Sequence, residues 1–191
     1  MLPCGGRYLI FKEMTTEELI SNIRVIPDFP SKGIMFQDVT TLFKNPACLQ
    51  ELSDRLFEIY KGKGITKVVG IESRGFVLGA ILAARLGAGF VPARKPGKLP
   101  AEKVTETYEK EYGTDSVEIH MGAIDENDVV LIHDDLLATG GTFGAAYKLV
   151  GRFHPSAIYL NCIVNLTDCP RRDVFPFGVP ITSILEIVEH C

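Results

Sequence analysis

Asp134 and Asp135 are adjacent carboxylates, and three residues after the second comes a run of small and hydroxyl-bearing side chains, Ala138-Thr139-Gly140-Gly141-Thr142. Two neighbouring acids repel, so water, a bound cation or the hydroxyl donors of a ligand must relieve them. Ala138, Gly140 and Gly141 leave backbone N–H groups uncovered, Thr139 and Thr142 add hydroxyl donors, and a helical pattern begins at Phe143. Bare amides at a helix N-terminus form an anion cradle. The two halves together suit a sugar phosphate: carboxylates accept hydrogen bonds from a vicinal diol while the glycine turn holds a phosphate nearby. The turn contains no lysine and neither GxxxxGK[ST] nor GxGxxG, which disfavours a triphosphate or a dinucleotide.

Upstream, Val129 to Ile132 is a short apolar run rich in β-branched residues, as expected of a strand buried on both faces of a parallel sheet. The whole segment VVLIHDDLLATGGT, Val129 to Thr142, resembles the phosphoribosyl-pyrophosphate (PRPP) motif of the type I phosphoribosyltransferases. The resemblance implies that both acids meet the ribose hydroxyls and that the following loop holds the 5-phosphate.

The elements that must position this segment alternate along the chain. Thr15 and Glu18 have capping-box spacing and open a helix that should stop before Pro27. The stretch from Pro27 to Pro46 reads as an ordered loop whose Ile34, Met35, Phe36, Val39 and Leu42 want burial; Phe36 is either core or an aromatic wall for a flat ligand. Asn45-Pro46 caps a helix through Leu49, Leu52, Leu56 and Ile59. Lys67 to Ile71 is a second buried strand, ending in Glu72-Ser73-Arg74-Gly75, with a helix from Val77 to Leu86 closed by Gly87. Ligands of open parallel sheets bind beyond the carboxyl ends of the strands, so Arg74 and the Asp134 turn share a crevice if their strands are neighbours. Phe90 to Ala93 is a short strand leading to three cations, Arg94, Lys95 and Lys98. Leu99 to Tyr112 is a polar excursion with no core pattern, which is either disordered or a lid over a site. An alternating strand (Val117, Ile119, Met121) and further strands over Ile158 to Val164 and Ile181 to Ile187 complete an α/β sheet.

The 191 residues make one domain's length, and 46% hydrophobic content supports a sizeable core. A net charge of −4 argues against nucleic-acid binding as the main surface property. The apolar stretches are only strand-length and the first residues lack a signal-peptide pattern, so no membrane association and a cytoplasmic location are expected. Five cysteines without a CxxC are read as reduced structural thiols.

Several blocks in order, FPSKGIMFQDVTTLFKNP, GIESRGFVLG, RKPGKLP, Glu111 to Gly113 and VVLIHDDLLATGGT, make the chain similar to the adenine phosphoribosyltransferases over roughly residues 15 to 190. The resemblance implies a type I phosphoribosyltransferase fold: a central, mostly parallel sheet flanked by helices. It also implies a single domain over 14–191, a small hood at about 14–45 and a flexible lid loop at about 97–116, while residues 1–13, which carry no clear period, are an N-terminal extension, either mobile or an added strand. PRPP would be held through Asp134, Asp135, Ala138, Thr139, Gly140, Gly141 and Thr142. Pyrophosphate would meet Glu72, Ser73 and Arg74, with a cis bond between Glu72 and Ser73, together with Lys95 and Lys98, while Arg94 reaches a partner subunit. Adenine would lie among Met35, Phe36, Gln37 and Leu166. Glu111 would be the catalytic lid glutamate and Tyr112 its neighbour. Mg²⁺, held mainly through PRPP, pyrophosphate and water near Asp134 and Asp135, would serve a homodimer converting adenine and PRPP to AMP and pyrophosphate in purine salvage. The alternatives are a 6-oxopurine phosphoribosyltransferase and a non-catalytic PRPP-sensing regulator. Two positions depart from the family pattern: Gln37 stands where a cation is frequent, and His133 replaces the usual aliphatic residue, where it is expected to pack without doing chemistry.

Overall fold

A computed structural model of the chain describes residues 13–109, 113–172 and 178–189. Its centre is a five-stranded sheet built from β3 (Lys67–Ile71), β4 (Gly89–Ala93), β7 (Val129–Leu137), β8 (Ala157–Leu166) and β9 (Ile181–Ile187), in the order β4-β3-β7-β8-β9. Every pairing in it is parallel. Side chains alternate across β7, and the two apolar layers follow from that. Leu131 joins a core with α1 (Thr16–Ser21), α2 (Thr40–Lys44), α3 (Pro46–Tyr60) and α4 (Gly75–Leu86). Val130 and Ile132 face the other way, onto α5 (Gly141–Gly151).

The local signals act as their chemistry dictates. Thr15 and Glu18 form a full capping box on α1, the Asn45 side chain accepts from Ala47 N–H with Pro46 at the first helical position, and Gly87 ends α4 at φ 67°.

Three segments differ from the expectation. The stretch after Pro27 contributes to an antiparallel pair, β1 (Arg24–Pro27) with β2 (Met35–Asp38), so it is a hairpin and not only a loop. Val39 and Leu42 are buried, but Ile34 and Met35 are exposed, because this hairpin lies outside the main sheet. The polar excursion carries β5 (Lys103–Glu109), which pairs antiparallel with β6 (Thr114–His120). This ribbon has a core side after all: Leu99 and Tyr108 are buried, and Val117 and Ile119 join them, whereas Met121 is exposed. The last difference concerns β7, which runs on past Ile132 to Leu137, since Asp134, Leu136 and Leu137 still face partners on β8. Cys48 and Cys162 are buried free thiols, but Cys169 is disulfide-bonded, against the expectation of reduced thiols throughout.

His133 is fully buried on the α4 side of β7. Asn161 donates through Nδ2 to the Thr182 carbonyl at 2.9 Å, which leaves its Oδ1 to accept from His133 Nδ1 at 2.7 Å. Nε2 is then the unprotonated nitrogen, and it has no partner among the described residues. Burial lowers the imidazole pKa to about 4. The folded protein therefore resists protonation that the unfolded chain accepts near pH 6.5, and stability is complete above that value and lost as pH falls toward 4. At about 1.4 kcal/mol per pH unit the loss is about 3 kcal/mol. Denaturant titrations between pH 7 and 4 should show the native chain losing about that much more stability than His133→Gln; parallel curves would refute the assignment.

Candidate active site

Asp134 and Asp135 lie on β7, and their carboxyls interact with each other. Asp134 lines a cavity of about 390 Å³ together with the Ala138 to Thr142 turn. The buried Asp135 instead sits 3.0 Å from Arg74 Nε. This contact is between charges, since Asp135 Oδ2 makes no aligned hydrogen bond. Burial and the neighbouring Asp135 carboxylate raise Asp134 well above the usual carboxylate range. Asp135 is also raised by burial, with Arg74 opposing.

The turn opens α5 without a side-chain cap. Gly140 occupies the N-cap at φ 80°, a conformation that strains any residue with a Cβ. The first amides of α5 are thus left to a ligand or water. Two arginines from the segment after β8 fix the outer side of the turn. Arg171 Nη1 donates to the Ala138 carbonyl, and Arg172 N–H donates to the Thr139 carbonyl at 2.9 Å. In a trans peptide C=O and N–H point oppositely, so these contacts turn the Thr139 and Gly140 N–H groups away from the Arg171 guanidinium and the Arg172 backbone.

The second loop follows β3, the strand beside β7, so the neighbour condition for a shared crevice is met. The Glu72–Ser73 bond is cis, in line with the resemblance. Arg74 is the N-cap of α4, and Gly75 behind it allows close approach: a Cβ there would lie 2.7 Å from the His133 carbonyl oxygen. The Arg74 guanidinium stands 5.5 Å from the centre of the Phe36 ring, which links the β1–β2 hairpin to the crevice. Glu72 organises the cations after β4. It accepts from Arg94 Nη2 at 3.0 Å and from Lys95 N–H at 2.8 Å, and the Arg94 hydrogen bonds hold its carboxyl below the usual range. Arg94 is therefore engaged within its own chain, while Lys95 Nζ turns to Asp115 on the ribbon. Ser73 and Lys98 are exposed.

On the β1–β2 hairpin, Phe36 is half-buried and packs edge-on against Phe29 at 5.0 Å, Met35 is exposed, and Gln37 is buried with Nε2 donating to Glu189 at 3.2 Å. Leu166 is buried at the end of β8. Glu111 and Tyr112 lie outside the described residues.

Two cavity residues escaped the sequence analysis. The Tyr108 hydroxyl is 3.1 Å from Thr142 Oγ1, and the Arg172 side chain reaches Thr139 and Glu109. Tyr108 was legible as one of the inward positions Val104, Glu106 and Tyr108 of an alternating strand. Arg172 had only the weaker signal of a cation beyond the carboxyl end of a strand.

A carboxyl whose pKa is raised by folding contributes stability below its ordinary range and loses it as pH rises through the folded value. At pH 7 Asp134 is thus held at a cost that a neutral isostere removes. Asp134→Asn should raise Tm at pH 7 by about 2–4 °C, the response of a chain this long to a change of about 1 kcal/mol, and the gain should vanish below pH 4. A lower Tm at pH 7 in scanning calorimetry would contradict the buried-charge account.

The sequence and the fold are similar to those of known proteins. The model of the phosphoribosyl transferase domain matches residues 38–179. An adenine phosphoribosyltransferase of Bacteroides thetaiotaomicron is 63% identical over 91% of this chain and 99% of its own. The crystal structure of the adenine phosphoribosyltransferase from Rhodothermus marinus superposes with a TM-score of 0.83 at 46% identity, covering 90% of this chain and 98% of that one. The Giardia lamblia enzyme complexed with 9-deazaadenine gives a TM-score of 0.85 at 39% identity, covering 91% and 98%. Sequence identity and fold agree, and the chain belongs to the adenine phosphoribosyltransferase family.

Proposed function

We infer that this chain transfers ribose 5-phosphate from PRPP to adenine, giving AMP and pyrophosphate, a step of purine salvage. The observation that carries the reading is that one cavity holds both the Asp134 carboxylate and the uncapped glycine turn, with the Arg74 loop on the neighbouring strand. Asp134 accepts from the ribose hydroxyls, the amides and hydroxyls of Thr139 to Thr142 hold the 5-phosphate, and Arg74 with Lys95 and Lys98 meets the pyrophosphate. Release of pyrophosphate from C1 leaves positive charge on the sugar, which the buried carboxylate lowers in energy. Phe36 and Leu166 offer apolar surface to the adenine ring, with Met35 and Gln37 at its edge. Adenine loses a ring proton as its nitrogen attacks, and Glu111 is the assigned acceptor by family resemblance.

Mg²⁺ would be held mainly through PRPP, pyrophosphate and water, near Asp134 and Asp135. Among the described residues no three of His, Cys, Asp and Glu gather as a metal site, while the strained Asp134 carboxylate gains from a cation close by. Bound with the donor near Asp134 and Asp135, the ion would supply positive charge to the pyrophosphate. The proposal includes a homodimer and a cytosolic location. No helix among the described residues is long and apolar enough to cross a membrane. Sedimentation of the purified chain tests the former.

Pyrophosphate release measured with PRPP and each purine in turn, with and without Mg²⁺, tests the activity. Adenine with Mg²⁺ should support turnover at least about 100-fold above hypoxanthine or guanine, a discrimination reached when buried polar groups are left unpaired by the wrong base. Preference for hypoxanthine would make the chain a 6-oxopurine enzyme, and PRPP binding with no product from any purine would make it a sensor. Glu111→Gln should lower kcat by about 100-fold with PRPP affinity nearly unchanged, since general-base catalysis contributes in the transition state. Lost PRPP affinity with kcat intact would move Glu111 to a binding role.

A further inference from the structure

The glycine turn that faces the cavity carries amides and hydroxyls but no cation, and a phosphate monoester brings about two negative charges. A charge must come from elsewhere in the chain. Arg172 is placed to supply it. Its side chain lines the same cavity as Asp134 and the turn. It is fixed at three points: its N–H to the Thr139 carbonyl at 2.9 Å, Nε to Thr139 Oγ1 at 3.3 Å, and Nη1 to the Glu109 carbonyl at 3.3 Å. Its aliphatic stem covers Gly141, where a Cβ would lie 3.4 Å from Arg172 Cδ and 3.5 Å from the Tyr108 ring. Nη2 has no protein acceptor among the described residues, so the guanidinium keeps donors for a ligand while it is already held in place.

We propose that Arg172 reads the phosphate end of the donor and of the product: it lies across the glycine turn, with the guanidinium free to bond the 5-phosphate oxygens. The inference rests on the proposed activity and adds a residue that neither the motif nor its spacing identifies. The geometry distinguishes Arg172 from Arg171 beside it, whose Nη1 donates to the Ala138 carbonyl behind the turn. It also explains why an arginine serves better than a lysine here. A lysine would reach the phosphate as a point charge but could not hold Thr139, the Glu109 carbonyl and a ligand at once.

The test compares AMP with adenosine, which differ only in the phosphate. Calorimetric titration of both into the native chain and into Arg172→Ala should show AMP affinity falling about 10- to 100-fold, the loss typical of charge-assisted hydrogen bonds, and adenosine affinity unchanged. Arg172→Lys should fall between the two, and the KM for PRPP should rise in Arg172→Ala more than kcat drops. Arg172→Gln, uncharged and of similar reach, makes the same comparison if the truncated chain does not fold. AMP affinity within about twofold of native, or equal losses for AMP and adenosine, would overturn the proposal, the second outcome leaving Arg172 a purely structural role. A native chain that binds adenosine as tightly as AMP would instead overturn the activity on which the proposal rests.

Discussion

The parallel seam between β3 and β7 is the constraint on which the site depends. Lys67 to Gly70 pair with Val130 to His133, so the two strands release their chains toward the same end of the sheet. The Arg74 loop and the Asp134 turn are neighbours for that reason alone. The seam tolerates little bulk. Gly75 sits so close to β7 that a methyl group would collide with backbone, and a shifted α4 would carry Arg74 away from Asp135. The ion pair is therefore a consequence of strand order and of one absent side chain. It holds the positive edge of the crevice beside the negative one, as a ligand with a diol at one end and a pyrophosphate at the other requires.

Around this seam the protein keeps charge where water would ordinarily be preferred. Both acids of the pair are raised by burial, and only Asp135 has a cation in contact. Asp134 is left facing a cavity whose opposite wall is a row of uncapped amides. A site arranged this way is least comfortable when empty, and a ligand bearing hydroxyl donors and an anionic tail satisfies both walls together. Beneath it, His133 and Asn161 form a neutral hydrogen-bonded pair, and a charged imidazole there would add to an already crowded field. The histidine that departs from the family pattern is accordingly a core residue in its uncharged form.

The sequence reveals what local chemistry determines. The capping box at Thr15, the Asn45-Pro46 start, the strands beginning at Lys67 and Val129 and the αL stop at Gly87 each follow from a few adjacent residues. What it hides depends on distant partners. β5 reads as polar because its outward positions are Lys, Thr and Glu, and only pairing with β6 creates an inward side for Val104 and Tyr108. β7 extends through its acids because β8 continues beside it, a fact absent from Val129 to Leu137 taken alone. The division of the acids, Asp134 lining the cavity and Asp135 meeting Arg74, is equally hidden in two adjacent identical residues. Arg172 was least legible of all, since its approach to Thr139 depends on β8 lying next to β7 and on the path of the chain beyond it.

The other family departure, Gln37, follows the same logic of charge. Its side chain is buried and donates to Glu189 at 3.2 Å and, more weakly, to the Met35 carbonyl at 3.5 Å. A cation at this position would meet the same acceptors but would need to be stripped of water, a cost that its pairing with Glu189 must then offset. The amide makes both contacts without that cost. It thereby ties the β1–β2 hairpin to the segment after β9, across the full length of the domain, by hydrogen bonding alone. The hairpin gains few apolar contacts, with Val25, Ile34 and Met35 exposed. The Asp38 carboxylate braces the hairpin from within, through Arg24 and Thr40, while Gln37 to Glu189 ties it to the rest of the domain. Phe36, carried between them, is held against Arg74 by neighbours that are satisfied before any base arrives.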